Sequence, residues 1–273
     1  MYTENRQTHF FGQLAKGSYQ RIIQSLPSIF GIFIFLLVWH FLSLRPDTSL
    51  PSPVAVVTNT WDLIKDPFFH KGGNNKGFFW LILASLNRVI FGYLLAILIG
   101  IPIGFIISLN SFCRNAIDPL IQILRPVAPL AWLPLAQAIF LKPNPSAIFV
   151  ICITAIWPII LNTALGVKLI PKDYINVSRL AGFSPLENFL KILLPATLPY
   201  IFTGLRIAIG LSWLAVVAAE MLLSDDGIGF FIVDAYNNAN IHEMILAILY
   251  LGGVGLLLDS MMAYLAEKVT PQE

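Results

Sequence analysis

The sequence predicts an all-α polytopic membrane protein with about six transmembrane helices, and three observations predict it. Apolar residues make up 57% of the 273-residue chain and charged ones only 12%, against about 25% charged in an ordinary soluble domain. The apolar residues are gathered into runs of the length, roughly 20 residues, that crosses a bilayer core of about 30 Å. Between two of the runs lies a polar stretch, Lys172 to Lys191, dense in helix start and stop signals.

On that ruler the spans fall at about 26–44, 78–108, 119–141, 146–168, 195–223 and 242–266. The second and fifth are long enough to tilt or to project beyond the bilayer. The polar N-terminal segment, 1–25, is too long and too mixed for the basic start of a cleaved signal peptide, so the first span is read as retained. Nothing in 26–273 marks a second domain. With the N-terminus inside, the cytoplasmic side receives Arg6, Lys16, Arg21, Arg114, Lys168, Lys172, Arg179, Lys191 and Lys268, and the outside Arg45, Lys65, Lys71, Lys76 and Lys142. This bias favours cytoplasmic N- and C-termini. In the first outer loop Leu50-Pro51-Ser52-Pro53 opens a segment with Val54, Val57, Trp61 and Ile64 on one helical face. It is expected to lie at the membrane surface with Trp61 near the headgroups.

Ionisable residues inside spans are costly and therefore informative. Arg88 in span two and Glu220 in span five both lie in the outer half, where they can form a structural ion pair. Arg125, Arg206 and Asp259 lie in the inner half, at comparable depth by helical rise. One Asp cannot neutralise two Arg. Two readings stand: a net positive charge lining a passage for a small anion, or a second Arg satisfied by helix carbonyls or by snorkelling.

Span three carries Pro119, Pro126, Pro129 and Pro134 around Arg125 and Trp132. Asp118 as N-cap and Pro119 at the first helical position predict its start. The later prolines free backbone carbonyls inside the bilayer, which is tolerable only against protein or a water-filled cavity. Gly100-x-x-x-Gly104 and the cluster Gly252, Gly253, Gly255 predict close helix packing. Ser224 to Asn238, after span five, reads as a short helix or re-entrant turn. Its acids, with Arg45 and Lys65, either meet an external partner or are solvated.

The polar insert is read locally. Asp173 to Ala181 forms a short helix that Gly182 ends in the left-handed conformation. Ser184-Pro185-Leu186-Glu187 is a capping box that opens a second helix, with Leu186, Phe189, Leu190, Leu193 and Leu194 on one stripe. Such a knob suits docking. Several chemistries are missing. The four histidines and two cysteines have no metal-ligand spacing, no phosphate-binding loop is present, and no nucleophile elbow occurs. The basic residues form no stripe for nucleic acid.

Gly182, nine residues, then Ile192-x-Leu194-Pro195 resembles the cytoplasmic signature of ABC-importer membrane subunits, a Glu-Ala-Ala motif followed by Gly and Ile-x-Leu-Pro. Asn176, Val177 and Ser178 stand at the Glu-Ala-Ala positions, so the acidic residue is absent. Ser85-Leu86-Asn87-Arg88, Leu124 to Pro134, Ile156 to Ala164, Pro195 to Gly204 and Gly227 to Tyr236 are similar to the nitrate/sulfonate/taurine/bicarbonate permeases. The resemblance implies a type I ABC importer transmembrane domain over 26–273 and a coupling loop at about 170–195. Asn176, Ser178, Arg179, Ala181, Gly182, Phe183, Ser184, Leu186 and Glu187 would meet an ATPase, and the intramembrane charges and the broken span place Arg125, Trp132, Arg206 and Asp259 along the expected substrate pathway. The resemblance implies a non-catalytic subunit in a bacterial inner membrane. Partner ATPase subunits would hold ATP and magnesium; a periplasmic binding protein and a second, identical permease copy would complete the complex. Nitrate or nitrite is the expected cargo, with bicarbonate, cyanate or a sulfonate as alternatives. A stand-alone secondary transporter and a membrane enzyme are the rival classes.

Overall fold

Long apolar runs become long helices because no water inside a bilayer can satisfy a free backbone N–H or carbonyl. The computed structural model describes residues 26–70, 72, 76–223 and 226–269. Both chain ends, 1–25 and 270–273, expected in the cytoplasm, lie outside the described residues, as do 71, 73–75 and 224–225. The chain divides into two units after Trp61.

The first unit holds α1 (Leu26–Ser43) and α2 (Pro53–Asn59). Along α1 the apolar side chains are exposed, Phe30, Phe33 and Phe41 among them, as suits a helix facing lipid. Ser52 caps α2 by accepting from the Ala55 amide, with Pro53 at the first helical position. The single surface helix expected through Ile64 is two. Thr60 turns its hydroxyl back on the Val56 carbonyl (2.7 Å), α2 ends, and α3 (Trp61–Lys65) begins anew.

In the second unit α4 (Phe78–Leu109), α7 (Pro143–Lys168), α10 (Leu194–Leu223) and α12 (Ile241–Val269) are long and apolar enough to cross a membrane. α7 is the packing centre, flanked by α4 and α10 and capped by α6 (Pro129–Phe140). The α4–α7 seam is set by small residues. A Cβ on Gly92 would stand 2.6 Å from Ile151 Cγ2, one on Gly100 2.9 Å from Ile159 Cγ2, and one on Gly104 2.6 Å from Thr163 Cβ. The Gly252–Gly255 cluster behaves differently from its expected packing role. Among the described residues, a Cβ on Gly255 would meet Trp213 at 3.2 Å, whereas one on Gly252 or Gly253 would meet no other side chain or helix within 4 Å. The reason is that α12 meets α10 and α11 (Ile228–Asn237) through another face, which buries Leu246, Ala247 and Met262.

Span three corrects two expectations. It is a pair of helices, α5 (Ser111–Leu124) and α6, bent by 104°. Ala128, preceding Pro129, is held extended, so no helix can run through it. Nor does the element begin at Asp118. Asn110 caps α5 by accepting from the Phe112 and Cys113 amides, and Pro119 sits inside that helix.

Candidate functional site

The polar insert folds as two capped helices. α8 (Lys172–Leu180) ends in a Schellman motif: Gly182 takes φ +68°, its amide donates to Arg179 O (3.1 Å), and the Phe183 amide donates to Ser178 O (3.1 Å). Ser184 then caps α9 (Pro185–Asn188), with Glu187 Oε2 accepting from the Ser184 amide and hydroxyl at 3.0 Å each. Lys191 Nζ reaches Glu187 Oε1 at 2.9 Å and stands 4.8 Å from the centre of the Phe183 ring. A π-turn, Phe189–Leu193, joins α9 to α10 in one helical run of 39 residues. At ~1.5 Å per residue that run is about 58 Å long, so its polar end extends past a bilayer core.

The predicted apolar stripe divides. Leu193 is buried and Phe189 packs edge-on against Phe105 of α4, whereas Leu186 and Leu190 stay exposed. With Tyr174, Val177 and Leu180, which is 89% exposed, they leave five exposed apolar side chains on a polar knob. Asn176, Arg179, Ala181 and Gly182 are exposed beside it. Ser178 is buried and donates to Ile175 O, so it braces the knob from inside.

A second feature lies at the α5–α6 break. Arg125, Pro126, Pro129 and Trp132 face Thr154, Trp157, Asn162 and Leu165 of α7 and Ile207 and Leu211 of α10 around a cavity of about 500 Å³. Arg125 is exposed, and its guanidinium has no ion-pair or hydrogen-bond partner among the described residues. Sequence reasoning does not reach Trp157 and Asn162 as site residues; the one signal is a polar Asn within an apolar span. The structure brings Arg125 and Trp132 to this cavity but not Arg206 and Asp259. Those two pair with each other between α10 and α12, Nε to Oδ1 at 2.8 Å and Nη2 to Oδ2 at 2.7 Å.

A third cluster is buried. Glu220 accepts from Arg88 Nη1 (2.6 Å), Ser85 Oγ (2.8 Å) and the Gly229 amide (3.0 Å), while Arg88 Nε donates to Asn144 Oδ1 (2.7 Å). It ties α4, α7, α10 and α11 together. A larger recess of about 750 Å³ borders it, lined by His70, Lys76, Trp80, Asn87, Asp226 and apolar residues of α4. Its Lys76 and Asp226 already pair at 2.9 Å, so it offers a ligand less free charge than the Arg125 cavity.

Residues 92–271 match the family described as binding-protein-dependent transport system inner membrane component. The nitrate import permease protein NrtB of Leptolyngbya laminosa is 53% identical over 252 residues, covering 92% of this chain and 90% of that protein. The bicarbonate transport system permease protein CmpB of Synechocystis sp. (strain ATCC 27184 / PCC 6803 / Kazusa) is 52% identical over 249 residues, covering 90% and 89%. A solved structure of the MetNI methionine ABC transporter superposes with TM-score 0.62 at 19% identity, covering 69% of this chain and 94% of that one. A bacterial ABC transporter involved in the import of alginate gives 0.61 at 15% identity, covering 96% and 99%. The fold is thus that of ABC-importer transmembrane domains, and with its capped knob, long spans and proline-broken helix the chain belongs to the family of binding-protein-dependent transport system inner membrane components.

Proposed function

We propose that this chain is the permease through which a small oxyanion, nitrate or nitrite first and bicarbonate second, enters the cell in an ATP-driven importer. The observation that carries the reading is the capped knob with its exposed Leu180, Leu186 and Leu190. Exposed apolar side chains clustered in sequence on a capped, polar projection call for a protein partner. In this reading the knob faces the cytoplasm, as do both termini, and seats in an ATPase that binds ATP and magnesium. An external binding protein delivers the ion, and a second copy of the permease completes the passage. The subunit itself performs no chemistry; closure of the ATPases rocks the permease halves between inward- and outward-facing states. Nitrate is favoured by the names of relatives such as the Leptolyngbya protein, and bicarbonate by the Synechocystis one.

The test is Leu186→Asp and Gly182→Val in the reconstituted complex. Both variants should insert and lose nitrate uptake together with transport-stimulated ATP hydrolysis. Persistence of both activities would overturn the coupling role of the knob.

A further inference from the structure

We propose that Asn162 is a specificity-determining residue, setting how well the permease carries bicarbonate relative to nitrate; this rests on the oxyanion reading above. The two ions share a flat trigonal shape and a single negative charge. In hydrogen-bonding capacity they differ by one hydrogen: nitrate has only acceptor oxygens, whereas bicarbonate also carries an O–H donor.

The Arg125 cavity is rich in donors for such ions. Arg125 supplies the only full charge in its lining, with no carboxylate there. Trp132 and Trp157 also line it, and neither indole N–H has a hydrogen-bond partner among the described residues. The indoles of Trp39, Trp80 and Trp213, by contrast, each donate to a backbone carbonyl at 3.0 Å. A half-buried indole without an acceptor is open to a ligand that brings one.

Asn162 adds what the others lack. Its Nδ2 donates to Pro158 O at 2.8 Å. A carbonyl oxygen can only accept, so this bond fixes which end of the amide is nitrogen and leaves Oδ1 as a free acceptor. The other side-chain acceptor in the lining, Thr154 Oγ1, has its proton on Val150 O and lies eight residues away, about 12 Å along the helix. Bicarbonate can give its hydrogen to Asn162 Oδ1 while its oxygens take the donors. Nitrate needs only the donors. Losing the acceptor therefore penalises bicarbonate selectively, because a group that pairs with a ligand O–H discriminates against its loss.

The experiment measures labelled nitrate and bicarbonate flux through the complete complex in proteoliposomes, for the wild type, Asn162→Leu and Asn162→Ser. Asn162→Leu should lower bicarbonate flux about tenfold and nitrate flux less than about twofold, the scale of one hydrogen bond. Asn162→Ser, which keeps a small acceptor, should recover part of the bicarbonate flux. An unchanged flux ratio in Asn162→Leu overturns the proposal, as does a wild type that carries one ion without competition from the other; in both cases the oxyanion permease reading stands. A wild type that moves neither ion overturns both. Should Asn162→Leu fail to assemble, the ratio in Asn162→Ser decides: a lower bicarbonate share supports the proposal and an unchanged one overturns it.

Discussion

Arg88 meets Glu220 with Nη1 and Oε1 2.6 Å apart, and the carboxylate it meets is wholly buried. Ser85 and the Gly229 amide complete that carboxylate's shell, so α4, α10 and α11 meet at one charge, and Asn144 brings α7 to its partner Arg88. Gly227, at φ +112°, makes the approach possible, since a Cβ there would run into the Glu220 carboxyl.

Removing one partner strands the other. Arg88→Met should destabilise the subunit by about 3–5 kcal/mol, the usual cost of an orphaned buried charge. Adding Glu220→Gln should recover a good part of the loss. Thermal unfolding of the purified subunit measures both, and a double variant as unstable as the single one would show that the pair matters through something besides its charge.

The α4–α7 seam gives a second contrast. Gly104→Ala would place a Cβ 2.6 Å from Thr163 Cβ and 2.9 Å from Ile160 O, and should cost about 1–3 kcal/mol by overpacking. Gly210→Ala, with nothing within 4 Å, should be neutral or stabilise by up to about 1 kcal/mol through helix propensity. The two melting points read together decide whether the seam is as tight as described.

How much of this was legible in the sequence follows from the range of the interactions. Helix lengths and the Gly182 and Ser184 caps are local, and Ser-Pro-Leu-Glu spells its own geometry. The α5–α6 break was half legible: four prolines announce trouble, yet a 104° bend depends on what the two halves pack against. Asp118-Pro119 imitates a helix start while Asn110 supplies the real cap. Asn162 shows locally only as a polar residue in an apolar span, and its significance comes from Arg125 and Trp132 on other segments. The Ser85 bond to Glu220 spans 135 residues, beyond any local pattern.

The capping box should act locally. Ser184→Ala removes the acceptor of the Glu187 amide (3.3 Å) and should cost about 1 kcal/mol within the knob. Amide exchange at Glu187 should then speed up about fivefold while global unfolding is unchanged, the outcome expected of a cap that opens locally. Unaltered exchange would mean that Lys191 and Phe183 suffice to hold the turn.

Arg206 and Asp259 make the sharpest test of where the free positive charge resides. Each side chain is about half exposed, 48% and 47%, and their two hydrogen bonds form a bidentate, electrically neutral unit. If the passage reads net charge, neutralising both together changes little, whereas neutralising Arg125 removes the charge that an anion meets. Arg206→Gln with Asp259→Asn should keep nitrate flux within about twofold of wild type, while Arg125→Gln should lower it about tenfold, equal to ~1.4 kcal/mol. Asp259→Asn alone leaves two unpaired cations and should hold the anion longer, lowering both KM and turnover. A double variant that falls as far as Arg125→Gln would place the Arg206–Asp259 pair on the ion's path and remove the basis for treating Arg125, the one charge in the cavity lining, as the charge the ion meets.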